Sequence, residues 1–376
     1  MLKSKNKQMK NLLIKGENID ALKYLLKEKQ LKGKIDLVYI DPPFATGGNF
    51  TITDGRATTI SNSRNGQIAY SDKLTGTDFI NFLKERLLLL RELLSDKGSI
   101  YLHIDYKIGH YVKVMMDEVF GIENFRNDIT RIKSNPKNFN RIGYGNIKDM
   151  ILFYTKTSTP IWNEPREKYS EKDLEKLFPK KDKNGRRYTT VPIHAPGETQ
   201  NGKSNQKFKG ILPPKGRHWR TDVETLEKWD NEGLIEWSST GNPRKIIYAD
   251  EREGKRVQDI WEYKDPQYPD YPTEKNQKIL DLIIKTSSNE NSIVLDAFCG
   301  SGTTLKSAHL LKRKWIGIDK SDLAIEATKN KLATITGDLF IEKPKYEYIE
   351  LNKTQPITKA IRNAGLTDNK QVYASK

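Results

Sequence analysis

Two short stretches of this chain hold residue types that could do chemistry together. The first is Asp41-Pro42-Pro43-Phe44, directly after the apolar run Ile35-Asp36-Leu37-Val38-Tyr39-Ile40. Proline lacks an N–H and fixes φ, so the chain leaves this run stiff and extended. The Asp41 carboxylate and the neighbouring carbonyls accept hydrogen bonds, and the Phe44 ring offers a flat face. Acceptors beside a stacking platform suit a flat heterocycle with an exocyclic amine. A strand-ending turn with Phe44 tucked into the core would use the same residues.

The second stretch is Asp296-Ala297-Phe298-Cys299-Gly300-Ser301-Gly302-Thr303-Thr304, between a predicted strand and a predicted helix. Gly300 and Gly302 permit positive φ and close ligand approach. About twenty residues on, the next predicted strand ends in Asp319, whose carboxylate suits ribose hydroxyls. The dinucleotide fingerprint is incomplete, because Leu305 stands where its third glycine belongs. A carboxylate at Asp296 would repel a pyrophosphate and attract an α-ammonium group. The loop therefore favours S-adenosylmethionine over a dinucleotide. A glycine turn made only for tight helix packing is the plainer reading.

The elements that would position these motifs alternate between strand and helix. Residues 11–16 read as a strand, 18–30 as a helix and 35–40 as a strand, which makes a β-α-β unit. Residues 77–96 predict a helix with Thr77 as N-cap, 99–104 a strand, 107–119 a helix and 149–154 an antiparallel strand. The pattern resumes with helices at 274–287, 303–313 and 321–333, and strands at 292–295 and 315–318. Residues 45–75 show little periodicity and read as a functional or disordered loop. A doubly wound, mostly parallel α/β sheet follows, and such sheets bind ligands at strand carboxyl ends. Both motifs lie at such ends, so in one sheet they would share a crevice.

Between about 156 and 262 the composition changes, with more Pro, Gly, Lys, Arg and Trp and no long periodic segments. This reads as an irregular basic domain inserted into the α/β core. The expected organisation is 1–155 for the first part of the core, 156–262 for the insertion, 263–340 for the rest of the core and 341–376 for a partly ordered extension. The formal charge of +16 over 376 residues favours a polyanionic partner, nucleic acid or a membrane surface. A solubilising surface excess is the alternative. No apolar run is long enough to span a membrane and no secretory core follows the Lys-rich start, so a cytoplasmic protein is expected. One cysteine and five scattered histidines give a metal site no support.

Taken together, the motifs resemble those of the β-class S-adenosylmethionine-dependent DNA amino-methyltransferases, the N6-adenine/N4-cytosine family of restriction-modification systems. That family carries the target-amine motif first, a target-recognition domain next and the cofactor loop last, a circularly permuted order that this chain shares. Lys15-Gly16-Glu17-Asn18 resembles its cofactor-adenine motif, and Arg86-Leu87-Leu88 with Gly98 to Asp105 its middle motifs. Tyr271-Pro272-Thr273-Glu274-Lys275 resembles its His-Pro-Thr-Gln-Lys-Pro motif, with Tyr271 in place of His and Asn276 in place of the final Pro. The resemblance implies a Rossmann-like sheet with an inserted target-recognition domain. It implies catalysis by Asp41, Pro42, Pro43 and Phe44. Cofactor contacts would come from Glu17, Asn18, Asp41, Thr273, Lys275, Asp296, Phe298, Cys299, Gly300, Ser301, Gly302, Thr303 and Asp319. Double-stranded DNA is the implied partner, in a nucleoid-associated enzyme, with a homodimer and a cognate restriction endonuclease as further candidates.

The expected reaction is methyl transfer to the N6 amine of an adenine flipped from the duplex. The Asp41 carboxylate and Pro42 carbonyl would take the two amine protons and Phe44 would stack on the base. Arg186, Arg187, Arg217, Trp219 and Arg220 are candidate DNA contacts. Methylation at cytosine C5 needs an attacking thiolate, and the only cysteine lies inside the cofactor loop. N4-cytosine transfer is the near alternative. A nicotinamide-dependent oxidoreductase and a non-catalytic DNA-binding subunit are alternatives of other classes.

Overall fold

A computed structural model of the chain describes residues 9–43, 49–53, 56–58, 67–71, 76–136, 140, 142–198, 202–265, 274–337 and 341–351. Two compact units are present: Met1–Asn163 with Asp259–Lys376, and Glu164–Gln258.

The larger unit begins with strand β1 (Asn11–Lys15), helix α1 (Asn18–Lys27) and strand β2 (Ile35–Ile40). Helix α2 (Gly76–Leu93), β3 (Leu94–Ile104), α3 (Tyr106–Phe120), β4 (Phe125–Ile132) and β5 (Lys148–Thr155) follow. After the smaller unit come β6 (Ile260–Trp261), α4 (Gln277–Ser287), β7 (Ile293–Asp296), α5 (Thr303–Leu310), β8 (Lys314–Asp319), α6 (Asp322–Ala333) and β9 (Tyr346–Glu350). These nine strands form one sheet in the order β6-β4-β5-β3-β2-β7-β8-β1-β9. Only β5 runs against its neighbours β3 and β4; the other adjacent pairs are parallel.

Sequence explains the main elements. In β2, Ile35, Leu37, Val38, Tyr39 and Ile40 are all buried, as expected of a parallel strand covered on both faces. Phe79, Leu83, Leu87, Leu90 and Leu93 form the buried stripe of α2. The helices pack in two groups, α1 on α2 on α3, and α4 on α5 on α6. The first group closes over Leu12, Ile14, Val38, Ile40 and Leu102. Side-chain caps start α3 and α6: Asp105 accepts from Lys107 N at 3.0 Å, and Ser321 accepts from Ala324 N at 3.4 Å.

The structure departs from the sequence expectations in several places, among them the end of the expected 77–96 helix, where Leu94 already begins a strand. Thr77 is not a cap, because α2 already begins at Gly76. Inside the expected 45–75 loop, Asn49–Thr53, Arg56–Thr58 and Gln67–Ser71 form a three-stranded antiparallel sheet. The inserted unit is not irregular: strands at 180–181, 187–192, 243–248 and 235–237 build an antiparallel sheet, with helices Glu171–Leu177 and Val223–Asn231. Ile193, Phe208, Trp219, Val223 and Leu226 form its own core. Finally, residues 346–350, beyond the expected end of the core at 340, join the large sheet beside β1.

Candidate active site

The four strands β2, β7, β8 and β1 are consecutive neighbours and run parallel, so their carboxyl ends lie along one edge. Those ends deliver Asp41, Asp296, Asp319 and the Gly16-Glu17-Asn18 turn. The two motifs therefore occupy adjacent strands, with Val294 and Leu295 of β7 paired to Leu37 and Val38 of β2. Such an edge is where a doubly wound sheet binds ligand.

Asp41 is the focus of this edge. Its Oδ2 pairs with Lys275 Nζ at 2.8 Å, and both side chains are mostly shielded, 17% and 9% exposed. Its Oδ1 is buried without a hydrogen-bond partner among the described residues. A buried carboxylate oxygen left unpaired is costly unless a donor arrives, so this atom marks a place for an incoming N–H or O–H. Pro42, which has no N–H, is buried beside it. Phe44 and Thr273 lie outside the described residues. Two residues before Asp41, Tyr39 meets His103 Nδ1 at 3.0 Å, and His103 Nε2 lies 3.3 Å from Asp149 Oδ2. This buried chain fixes the strand that ends in Asp41.

The cofactor loop is held by its own carboxylates. Asp296 accepts from Phe298 N at 3.0 Å and from Thr304 Oγ1 at 2.6 Å. Asp319 accepts from Gly300 N at 3.0 Å and from Ser321 N at 2.9 Å. Each of these bonds uses one lone pair, so both carboxylates keep acceptor capacity for a ligand. Burial first, and then the charges of Asp41 and Asp319, push the Asp296 carboxyl up to about 7. Burial likewise raises Asp319, against the backbone N–H groups that bond it. An edge that crowds carboxylates and raises their pKa is prepared for a cationic ligand. Its donors and acceptors fit a ligand with an ammonium, a sulfonium and ribose hydroxyls.

Gly300 and Gly302 adopt φ of 48° and 78°, where other residues are strained. A Cβ on Gly302 would also lie 2.8 Å from Thr328 Cγ2. Leu305, which replaces the third glycine of a dinucleotide loop, is fully buried. Its room comes from the strand instead: a Cβ on Gly317 would lie 2.3 Å from Leu305 Cδ1. The close helix-to-strand approach is kept, with the missing side chain moved from α5 to β8. Cys299 is buried, and burial pushes its thiol well above the usual range, so it is a packed neutral residue.

Other expected site residues take defined places. Asn18 is buried, donates to Ala297 O at 3.4 Å and accepts from Arg86 Nε at 2.5 Å. Arg86 is a charge on the apolar stripe of α2, and its guanidinium stacks 3.4 Å from the Phe82 ring centroid. Burial lowers the Arg86 guanidinium to about 10 despite the opposing pull of Glu17. Phe82 in turn packs near Phe298, ring centroids 6.3 Å apart. Glu17 pairs with Lys320 at 3.4 Å on the exposed rim. Asn276, the departure from the expected Pro, caps α4 by accepting from Lys278 N at 3.0 Å. Ser301 and Thr303 are buried and receive bonds from Lys331 Nζ, at 3.0 Å each. Lys331 was not singled out by the sequence, because it is one ordinary charge on an amphipathic helix, and Glu274 was read only as a member of the 271–275 motif.

The candidate DNA residues divide. Trp219 is corrected by the structure: it is 1% exposed, donates to Gln206 O at 2.9 Å and belongs to the core of the smaller unit. Apolar burial outweighs its basic sequence surroundings. Arg186 is committed to Asp250, at 2.8 Å through two nitrogens, and to Glu251 at 3.0 Å. It also stacks on Tyr248, 3.8 Å from the ring centroid. Arg217 and Arg220 are exposed, both gathered on His194, and Arg187 is half-buried. Among the described residues no cluster could hold a metal ion, and no helix is long and apolar enough to cross a membrane.

Comparison with known proteins agrees with this geometry. The N6/N4 methyltransferase family model, described as DNA methylase, matches residues 35–330. The chain is 41% identical over 329 residues to the type II methyltransferase M.EcaI of Enterobacter cloacae, covering 86% of this chain and 69% of that one. It is 26% identical to a probable type III restriction-modification enzyme, the HindVI Mod subunit of Haemophilus influenzae, and spans 85% of itself but only 50% of that protein. The crystal structure of the M1.HpyAVI–SAM complex is 18% identical, with a TM-score of 0.45, covering 85% of this chain and 98% of that one. A family model matching residues 35–330 and a relative 41% identical over 86% of the chain show that this chain belongs to the N6/N4 family of DNA methylases, S-adenosylmethionine-dependent amino-methyltransferases.

Proposed function

We propose that this chain methylates the N6 amine of an adenine flipped out of duplex DNA. The observation that carries the reading is Asp41: Oδ2 is held by Lys275 at 2.8 Å while the buried Oδ1 has no hydrogen-bond partner among the described residues. The lone pair of an aromatic amine is delocalised into its ring, so the chain's task is to redirect it. Asp41 Oδ1 accepts one amine proton and the Pro42 carbonyl accepts the other. The nitrogen is thereby drawn toward a tetrahedral shape with its lone pair aimed outward. S-adenosylmethionine supplies a methyl already activated by sulfonium, so the nitrogen–carbon bond forms as the carbon–sulfur bond breaks. The extra amine proton then leaves to Asp41 or to water.

The same edge supports the cofactor contacts. Asp296 suits the α-ammonium group and Asp319 the ribose hydroxyls, while a dinucleotide pyrophosphate would meet three carboxylates. Lys275 reaches Asp41, so its role in this reading is to orient the catalytic carboxylate. An Asp at the first position of the target-amine motif supports adenine over cytosine. Arg187, Arg217 and Arg220 are proposed phosphate contacts that offset the few kcal/mol of base flipping, about the scale of one unstacked pair. Such an enzyme would act on the chromosome in the cytoplasm, with a restriction endonuclease and a second copy of the chain as proposed partners.

The test is to incubate the protein with S-adenosylmethionine and DNA, digest the DNA to nucleosides and weigh the products. N6-methyladenine is expected. N4-methylcytosine would overturn the adenine reading, and no methylated base on varied DNA would overturn the enzyme reading for this chain alone.

A further inference from the structure

Lys331 lies on α6, outside every motif that singled out the site. Its side chain is only 10% exposed, and Glu274 beside it is 14% exposed. Lys331 Nζ donates to Ser301 Oγ and Thr303 Oγ1, each at 3.0 Å, and forms an ion pair with Glu274. An ammonium has three N–H donors, and here three acceptors receive them. Two acceptors belong to the cofactor loop. The third belongs to the segment that enters α4, and the next residue on that segment is Lys275, the partner of Asp41. One buried cation thus joins the cofactor loop to the residue that orients the amine acceptor.

Geometry gives this junction a consequence beyond stability. Methyl transfer needs the methyl carbon and the amine nitrogen close and in line, and a misplacement near 1 Å can lower the rate by about 10²-fold. The loop sets the methyl through the cofactor, and Asp41 sets the nitrogen. Among the described residues, the Lys331 ammonium is a side-chain fastening that the two share. We propose that Lys331 is a positioning residue that sets the cofactor loop and the Lys275–Asp41 pair as one unit. The proposal rests on the methyl-transfer reading above for its second half, and on cofactor binding alone for its first.

The two halves separate by mutation. Lys331→Met removes the fastening from both sides. Glu274→Gln weakens only the link to Lys275 and leaves the donors to Ser301 and Thr303 in place. Dissociation constants for S-adenosylmethionine, single-turnover transfer at saturating cofactor and DNA, and the unfolding midpoint are measured for both, with Lys331→Arg as the conservative variant. Lys331→Met should weaken cofactor binding and slow saturated transfer, each by about tenfold or more. Glu274→Gln should slow saturated transfer by a similar factor while cofactor affinity stays within about threefold. Lys331→Arg should recover most of the cofactor affinity.

Cofactor affinity and transfer both within about twofold of wild type in Lys331→Met would overturn the proposal. So would equal losses of affinity and rate in Glu274→Gln that follow a lowered unfolding midpoint, because a purely structural pair behaves that way. If Lys331→Met does not fold, the split between affinity and rate in Glu274→Gln decides alone. Should wild type bind cofactor but transfer no methyl to any DNA, the function reading fails. The affinity of Lys331→Met still decides whether the loop depends on this lysine.

Discussion

The carboxyl edge of the large sheet and the smaller inserted unit use charge in opposite ways. Along the edge, the charges beside the motifs are shielded, and each is placed against a specific group: Asp41 against Lys275, Lys331 against Glu274, Arg86 against Asn18. In the 164–258 unit, charges are mostly exposed and pair along the surface, as Arg186 does with Asp250 and Glu251. Its buried anchors are instead aromatic, Phe208 and Trp219. Buried charge is tolerated only when partnered and is expensive to leave half-partnered, so it concentrates where a ligand will complete it. Exposed ion pairs contribute little to stability and are free to vary. The edge is the part suited to chemistry, and the inserted unit the part suited to adaptable contacts.

Four further experiments would break or sharpen this contrast. Trp219→Ala has the largest expected effect. Removing a fully buried Trp should destabilise the inserted unit by roughly 3–5 kcal/mol, read as an early transition in thermal unfolding. Binding of S-adenosylmethionine, which we propose takes place at the carboxyl edge of the other unit, should survive; its loss would show that the two regions are not separable.

The next effect comes from Asp296. Its carboxyl is raised to about 7, so at lower pH it is protonated and offers no charge to a cation. Affinity for S-adenosylmethionine should rise as pH increases through 7, by up to about tenfold per unit, and then level off. Asp296→Asn should bind weakly and lose this slope. The same slope in the variant would assign the titration to another group.

Lys275→Met should slow transfer by about tenfold or more at saturating cofactor, because Asp41 loses the partner that fixes one oxygen. An unchanged rate would remove Lys275 from the orienting role. The smallest effect is expected from Arg217→Ala and Arg220→Ala. Each should weaken DNA binding evenly across sequences and reduce the salt slope by about one phosphate contact. Arg186→Ala, whose guanidinium is already occupied by carboxylates, should change DNA binding less than either.

The same contrast explains what could be read from sequence. Asp41, Asp296 and Asp319 were legible because each ends a buried apolar strand, and parallel order brings such ends together. Gly300 and Gly302 were legible because positive φ restricts the residue type. The inserted unit was not, because its strands are short and half-exposed, so alternation is weak. Trp219 among arginines read as a candidate DNA contact, and only the fold shows it packed on Phe208. Strand β4, Phe-Arg-Asn-Asp-Ile-Thr-Arg-Ile, was hidden by its charges; Arg131 is buried because Asp149, Asp265 and the Tyr263 carbonyl satisfy it. Lys331 carries no local signal, since its meaning lies in a pairing with Glu274 across 57 positions.

The central claim is that Asp41 presents an open acceptor to the target amine. Its most direct test is Asp41→Ala, with cofactor binding and methyl transfer measured on the same preparation. Transfer should fall by at least about 10²–10³-fold, the scale of a lost preorganised hydrogen-bond partner, while the dissociation constant for S-adenosylmethionine changes only a few-fold. Transfer at near wild-type rate, or loss of cofactor binding in step with transfer, would contradict it.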